Sequence, residues 1–289
     1  MPEGDTLYRI AANLRKAIHG CAVTRFVGHE PHIAIMDARR PVLGRVVHAI
    51  EARGKNLLIV FRQPGDDGEA IRSSDSLNLD LFDTDLVLHS HLRMTGSWHI
   101  YRHGEAWQKP ERYAKVAIET ATFVVVCFSA PLVELLSARE AARHPQLAAL
   151  GPDAMTSQFD PTAAQARIRQ RPDVPIGVAI MSQSAMAGVG NEFKSEIFFI
   201  RRVDPFALVG DLSDDILDGL ILESHKLLQL NEHSNSRRTR FALNSRERGW
   251  VYGRAGEPCR VCGERIRVRR QGMDGRTTYY CPECQKTTV

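Results

Sequence analysis

Aromatic side chains are sparse, at 7% of the chain, and no apolar run approaches the roughly 20 residues that a membrane-spanning helix requires. A helical span is therefore not expected. The first residues lack the charged-then-apolar pattern of a secretory signal, which sets the expectation of a soluble, cytoplasmic protein. Cysteine is limited to six residues, four of them at metal-binding spacing. The other two, Cys21 and Cys127, lie in apolar surroundings and are expected as buried thiols rather than a disulfide. No internal repeat is visible, which removes solenoid architectures.

What remains is a chain of 289 residues with 43% hydrophobic side chains, enough for two domains and an appended module. Its net charge is only +4, but residues 237–289 hold 13 Lys+Arg against 5 Asp+Glu, while the rest holds 25 against 29. A basic end on a mildly acidic body reads as a contact surface for a polyanion. The plainer reading is a solvated charged tail.

The order of patterns predicts an α+β, multidomain chain. Asp5 or Thr6 can cap a helix in which Leu7, Ile10, Ala11, Leu14, Ala17 and Ile18 recur at helical spacing, with Gly20 to end it. Short β-rich runs follow at Val46–Ile50, Leu57–Phe61, Leu86–His91, Val116–Thr120 and Phe123–Phe128. Turn residues bound several of them, which points to a β-sandwich or barrel. Residues 62–80 are expected as a long exposed loop. After Phe128 the pattern turns helical, with helices expected at 138–144, 161–170, 176–184, 191–199 and 213–228. Residues 150–160 supply a linker. The expected domains are 1–135, 150–250 and 251–289.

Cys259-x-x-Cys262 and Cys281-x-x-Cys284 are separated by 18 residues. Two such pairs at this distance are a strong zinc signal, since each knuckle points two thiolates inward and four complete a tetrahedral shell. A closed shell makes the ion structural, so one structural Zn2+ is expected. Between the pairs, residues 266–270, a Gly272–Gly275 turn and residues 276–280 predict a β-hairpin. Arg276 stands at that turn, where a guanidinium can pair with a phosphate at two points. Taken alone, it reads as a solvated arginine.

Positions 2 and 3 carry the other chemical signal. Proline after Met1 permits removal of the starting methionine, leaving a secondary amine one residue from the Glu3 carboxylate. Such an amine can attack a sugar carbon and form a positively charged iminium. Taken alone, Pro2 reads as a processing signal and Glu3 as a helix-start charge.

With both ends in view, the chain resembles the formamidopyrimidine-DNA glycosylase / endonuclease VIII family over nearly its whole length. The resemblance rests on Pro2-Glu3-Gly4-Asp5, Arg53-Gly54-Lys55, His91-Leu92-Arg93-Met94, Gly188-Val189-Gly190-Asn191 and the four-cysteine finger with Arg276. It implies an N-terminal β-sandwich with a leading helix, a helical domain holding a helix–two-turn–helix motif, and a C-terminal zinc finger.

For individual residues the resemblance implies Pro2 as the nucleophile at the sugar C1′, Glu3 as the acid/base, and Lys55 as a catalytic helper. Asn191 and Arg276 are implied as backbone contacts. Arg93 and Met94 are implied in the duplex, Met94 as an apolar wedge in the gap left by a flipped base. Each has a plainer reading: an exposed turn lysine for Lys55, a helix cap for Asn191, a core side chain for Met94. The glycines before Asn191 let the backbone approach a partner closely, and the helix they open is expected to offer amides to a phosphate. Glu196 matches an acidic position of the family helix, without an expected catalytic role.

The family's glycosylase branch carries an Asp-Pro-Arg-Arg-Phe-Gly loop where this chain reads Phe128-Ser-Ala-Pro-Leu132. That departure places the chain closer to the endonuclease VIII branch, which favours oxidised pyrimidines, although Arg93-Met94-Thr95 also departs from the best-known members of that branch. The implied activity is bifunctional: base removal through a proline Schiff base, then β,δ-elimination at the abasic site. The implied partner is damaged DNA, with no membrane and no small-molecule cofactor. A nucleoid-associated monomer suits a two-domain clamp. The alternative is a non-catalytic zinc-dependent DNA-binding or damage-sensing protein, which needs neither Pro2 nor Lys55. A zinc-ribbon component of transcription or translation leaves the first 130 residues unexplained.

Overall fold

The computed structural model describes residues 2–66, 68–71, 79–234, 236–241 and 247–286. The chain divides into two compact units, one of Met1–Pro2 with Thr6–Ala149, the other of Glu3–Asp5 with Leu150–Val289. Among the described residues, no helix is long and apolar enough to cross a membrane.

The first unit is built on two four-stranded antiparallel sheets. One runs in the order β10 (Leu132–Ser137), β6 (Leu86–His91), β3 (Asn56–Arg62), β2 (Val46–Arg53). The other runs β1 (Arg25–Gly28), β8 (Ala114–Glu119), β9 (Phe123–Phe128), β7 (Ser97–Arg102). Period-2 alternation, reset in β2 by a register shift between Val47 and Ala49, sends Val47, Ile50, Leu57, Ile59, Leu86 and Leu88 from the first sheet into one core with Val116, Ile118, Val125 and Cys127 from the second. The helix α1 (Gly4–Ile18) closes this core with Leu7, Ala11, Leu14 and Ile18, one stripe at helical spacing. Each fully buried large aliphatic side chain contributes roughly 1.5–3 kcal/mol. The expected β-sandwich with a leading helix is what forms.

Several local expectations are corrected. The helix α1 begins at Gly4, so Asp5 lies in its first turn instead of capping it. The strands β1, β7 and β10 and the helix α2 (Pro31–Arg39) were not expected, and Pro31 at the first helical turn is the signal for α2. The 62–80 segment is not wholly an exposed loop. Ala70–Ile71 (β4) pairs with Leu81–Phe82 (β5), and Leu79 is buried, while residues 72–78 lie outside the described residues. Cys127 is buried, and burial pushes its thiol pKa up, whereas Cys21 is only half-buried. The unit ends with two short helices, α3 (Ala138–Ala142), opened by a reciprocal Ser137–Glu140 capping box, and α4 (Pro145–Ala148).

The second unit is helical with a hairpin. Asp160 caps α5 (Pro161–Arg169), accepting from the Ala163 N–H at 2.9 Å. Ser213 caps α8 (Asp214–Asn231). The helix expected over 176–184 stops early, as α6 (Ile176–Ala179). Ser182 and Ser184 hydrogen bond to each other, and the chain turns back so that Ala187 bridges Asp153. The helix α7 (Asn191–Ile200) follows and is buried almost all round. The hairpin pairs β11 (Arg267–Gln271) with β12 (Arg276–Tyr280) through a turn in which Gly272 and Gly275 take φ of 70° and 57°. Phe199 of α7 packs with Val251, Ile266, Cys259 and Cys281, so the cysteine module shares a core with the helices.

Candidate active site

The N-terminus of α7 already holds an anion, and that anion is Glu3. Its carboxylate accepts from the Glu192 N–H at 2.8 Å and the Phe193 N–H at 3.4 Å. These are the helix's orphan amides, at the positive end of its dipole. The expectation that this terminus offers its amides to a phosphate is thereby corrected, because a side chain of the same chain occupies them. Three glycines make room. Gly4 donates to the Gly188 carbonyl at 2.9 Å, with Gly188 at φ 104°. Gly190 lies against Glu3 so tightly that a Cβ there would stand 2.6 Å from Oε1.

Glu3 is fully buried, as is Asp5. Both charges are met by Arg237, whose guanidinium grips Asp5 at 2.6 and 3.0 Å, reaches Glu192 at 2.5 Å and lies 3.8 Å from Glu3. Burial opposes the charge on Arg237, but Glu3, Asp5 and Glu192 together raise its pKa above the ordinary guanidinium value. In the sequence Arg237 reads only as part of a basic tail, because Glu3 and Asp5 lie near the opposite end of the chain.

Asn191, the first residue of α7, is buried and donates to Thr277 Oγ1 at 3.3 Å, which sets it beside the residue that follows Arg276. Lys194 is fully buried and donates to Thr278 Oγ1 at 2.7 Å. Burial lowers its pKa to about 7, with Glu3 opposing and Arg276 reinforcing the shift. Glu196 accepts from the Trp250, Val251 and Tyr252 amides at 2.7–2.8 Å and from Thr239 Oγ1. Its carboxylate is spent on fixing the segment that leads into the cysteine module.

In the first unit, Gly54 and Lys55 form the turn between β2 and β3, with Gly54 at φ 56°. Asn56, next to Lys55, is the cross-strand partner of His91. Burial lowers the His91 pKa to about 4, and the charges of Lys55 and Arg93 push the same way. His91 is thus a neutral acceptor, taking the Arg93 N–H on Nδ1 at 3.2 Å. Arg93 itself has a left-handed φ of 46°, a strained conformation for a side chain of this kind. The tight turn, closed by the Gly96 N–H on the Leu92 carbonyl at 2.9 Å, leaves Met94 71% exposed. Met94 is therefore not a core residue. The divergent 128–132 segment is only a short link between β9 and β10, with Ser129 at φ 50° and its carbonyl accepting from Thr95 Oγ1 at 2.8 Å.

Cys259, Cys262, Cys281 and Cys284 converge with their sulfurs within 4.8 Å of one another. The Val261 N–H points at Cys259 Sγ and the Cys284 N–H at Cys281 Sγ. Amides directed at sulfur stabilise thiolates, and four thiolates so placed fit one structural zinc ion.

Residues 1–131 match the family model described as formamidopyrimidine-DNA glycosylase N-terminal domain. Residues 256–287 match the zinc finger found in FPG and IleRS. A Streptomyces coelicolor protein named probable endonuclease 8 2 is 36% identical, over 99% of this chain and 94% of its own length. The Mycolicibacterium smegmatis DNA-(apurinic or apyrimidinic site) lyase Nei2 is 34% identical over 99% of both chains. The fold is also that of Lactococcus lactis Fpg (MutM), solved with DNA containing N7-benzyl-Fapy-dG, at a TM-score of 0.78, 21% identity, and coverage of 99% of this chain and 100% of that one. The chain belongs to the formamidopyrimidine-DNA glycosylase / endonuclease VIII family, on its endonuclease VIII branch.

Proposed function

We propose that this chain is a bifunctional DNA glycosylase and abasic-site lyase of base excision repair, acting on oxidised pyrimidines through the amine of Pro2. The observation that carries the chemistry is the Glu3 carboxylate, buried and fixed by two amides at the start of α7, one residue after the proposed nucleophile.

The Pro2 amine attacks C1′ of the damaged nucleoside, and the C1′–base bond breaks. Glu3 takes the proton released by the amine and delivers it to the sugar ring oxygen as the ring opens. The product is an iminium between Pro2 and C1′, and the negative charge of Glu3 stabilises this cation. Loss of a C2′ proton then permits β-elimination of the 3′ phosphate, and δ-elimination releases the 5′ phosphate. Lys55 supplies a compact positive charge to the phosphate or sugar.

Asn191 and Arg276, joined through Thr277, grip the strand beside the lesion. Met94 enters the gap left by the flipped base, and Arg93 pairs with the orphaned partner. The test is borohydride trapping on thymine-glycol and abasic-site duplexes. A covalent protein–DNA adduct is the expected result. DNA binding without an adduct would leave a damage-binding protein in place of an enzyme.

A further inference from the structure

A second group of metal-binding side chains lies inside the sandwich unit. His89 sits in mid-strand on β6, and its cross-strand partner on β10 is Glu134. His144 stands just before α4. One nitrogen of each ring and one carboxylate oxygen lie within 4.8 Å of one another, with the rings at 71° and 5.0 Å between centroids.

The protonation of these rings follows from their partners. The Asn56 amide donates through Nδ2 to the Arg53 carbonyl at 3.1 Å, so its Oδ1 faces His89 Nε2 at 2.9 Å. An amide oxygen only accepts, so Nε2 carries the proton and Nδ1 is a bare lone pair. His89 is fully buried, and this Nδ1 has no hydrogen-bond partner among the described residues. His144 Nε2 lies 3.4 Å from the Glu134 carboxylate, and His144 Nδ1 is buried with no hydrogen-bond partner among the described residues.

We propose that His89, Glu134 and His144 hold a divalent transition-metal ion of the zinc class, distinct from the four-cysteine centre. Two imidazoles and one carboxylate form a donor set that zinc uses with water in the fourth position, and imidazole disfavours magnesium and calcium. Asn56 accepts the outer N–H of His89, as an outer partner of a metal-bound imidazole does. At zinc–nitrogen distances near 2.0–2.1 Å, tetrahedral donors stand roughly 3.3 Å apart, so modest side-chain adjustment completes the shell. The ion would brace β6 two residues before its end, where the His91–Met94 turn begins.

The test is zinc content of the intact, full-length protein, by plasma mass spectrometry after zinc loading and removal of loosely bound metal. About two ions per chain are expected, falling to about one in His89→Phe, His144→Phe and Glu134→Gln while the cysteine centre stays filled. The glutamine variant keeps the shape of the site and serves should either ring replacement fail to fold. One ion per chain in the unaltered protein would overturn the proposal. So would two ions per chain that persist in Glu134→Gln or in a folded ring variant.

Discussion

Gly190 and Glu3 are packed so closely that one methyl group on Gly190 would overlap the Glu3 carboxylate, with its ideal Cβ 2.6 Å from Oε1. The backbone of Gly190, at φ −125° and ψ −166°, is extended and open to any residue. Gly190→Ala is therefore a purely steric test. It is expected to destabilise the protein by about 1–3 kcal/mol and to abolish the trapped adduct. In the double variant Glu3→Ala/Gly190→Ala the overlap is gone, so the stability losses should fall well short of additive. Thermal unfolding of the four proteins checks this, and additive losses would show that the two residues do not compete for space.

Arg237 grips the buried Asp5 at two points and lies 3.8 Å from the buried Glu3, so it is a counter-charge to both. Arg237→Met is expected to cost about 3–5 kcal/mol, because it leaves buried carboxylates without their counter-charge. Arg237→Lys should recover only part of this, since an ammonium cannot reproduce the two-point grip on Asp5. Denaturant midpoints measure both. A silent Arg237→Met would mean that the carboxylates are balanced elsewhere.

Lys194 makes stability depend on pH. Its pKa is about 7 in the fold against an ordinary 10.5. Between those values the unfolded chain binds a proton that the folded one does not, so stability rises with pH across this window, by up to roughly 1.4 kcal/mol per pH unit. Below about 7 both states are protonated, and the fold carries the full cost of a buried ammonium. Lys194→Met should therefore compare best with the unaltered protein at pH 6 and lose that advantage progressively toward pH 9. A difference in Tm that is constant across this range would contradict the assignment.

Met94 should matter for opening duplex DNA and for little else. At 71% exposure, Met94→Ala is expected to change stability by no more than about 0.5 kcal/mol. Base release from duplex should fall by about tenfold or more, as the unstacking of a few kcal/mol loses its compensation. Release from single strands should change much less. Parallel single-turnover rates on the two substrates check this, and equal losses on both would remove the wedge role.

Legibility from sequence followed the range of the determining interactions. Leu86–His91 and Phe123–Phe128 read correctly to the residue, because β-branched and aliphatic runs announce themselves locally. Ser97–Arg102 did not, since Ser-Trp-His-Ile-Tyr-Arg gives no clean alternation, and β10 was hidden behind Pro131. The cysteine centre was plain from spacing, whereas Pro2-Glu3 taken alone reads as a processing signal and a helix-start charge. Arg237 was not plain, because its partners Glu3 and Asp5 lie more than 230 residues away. The occupation of the α7 N-terminus by Glu3 was invisible for the same reason: the glycines signalled close approach without saying of what.

The nitrogen that becomes bonded to deoxyribose decides the mechanism. Borohydride-trapped complex, digested and sequenced by mass spectrometry, is expected to carry the sugar remnant on the amine of Pro2 with Met1 removed. A remnant on Lys55 or any other lysine, with Pro2 still in amide linkage to Met1, would contradict it.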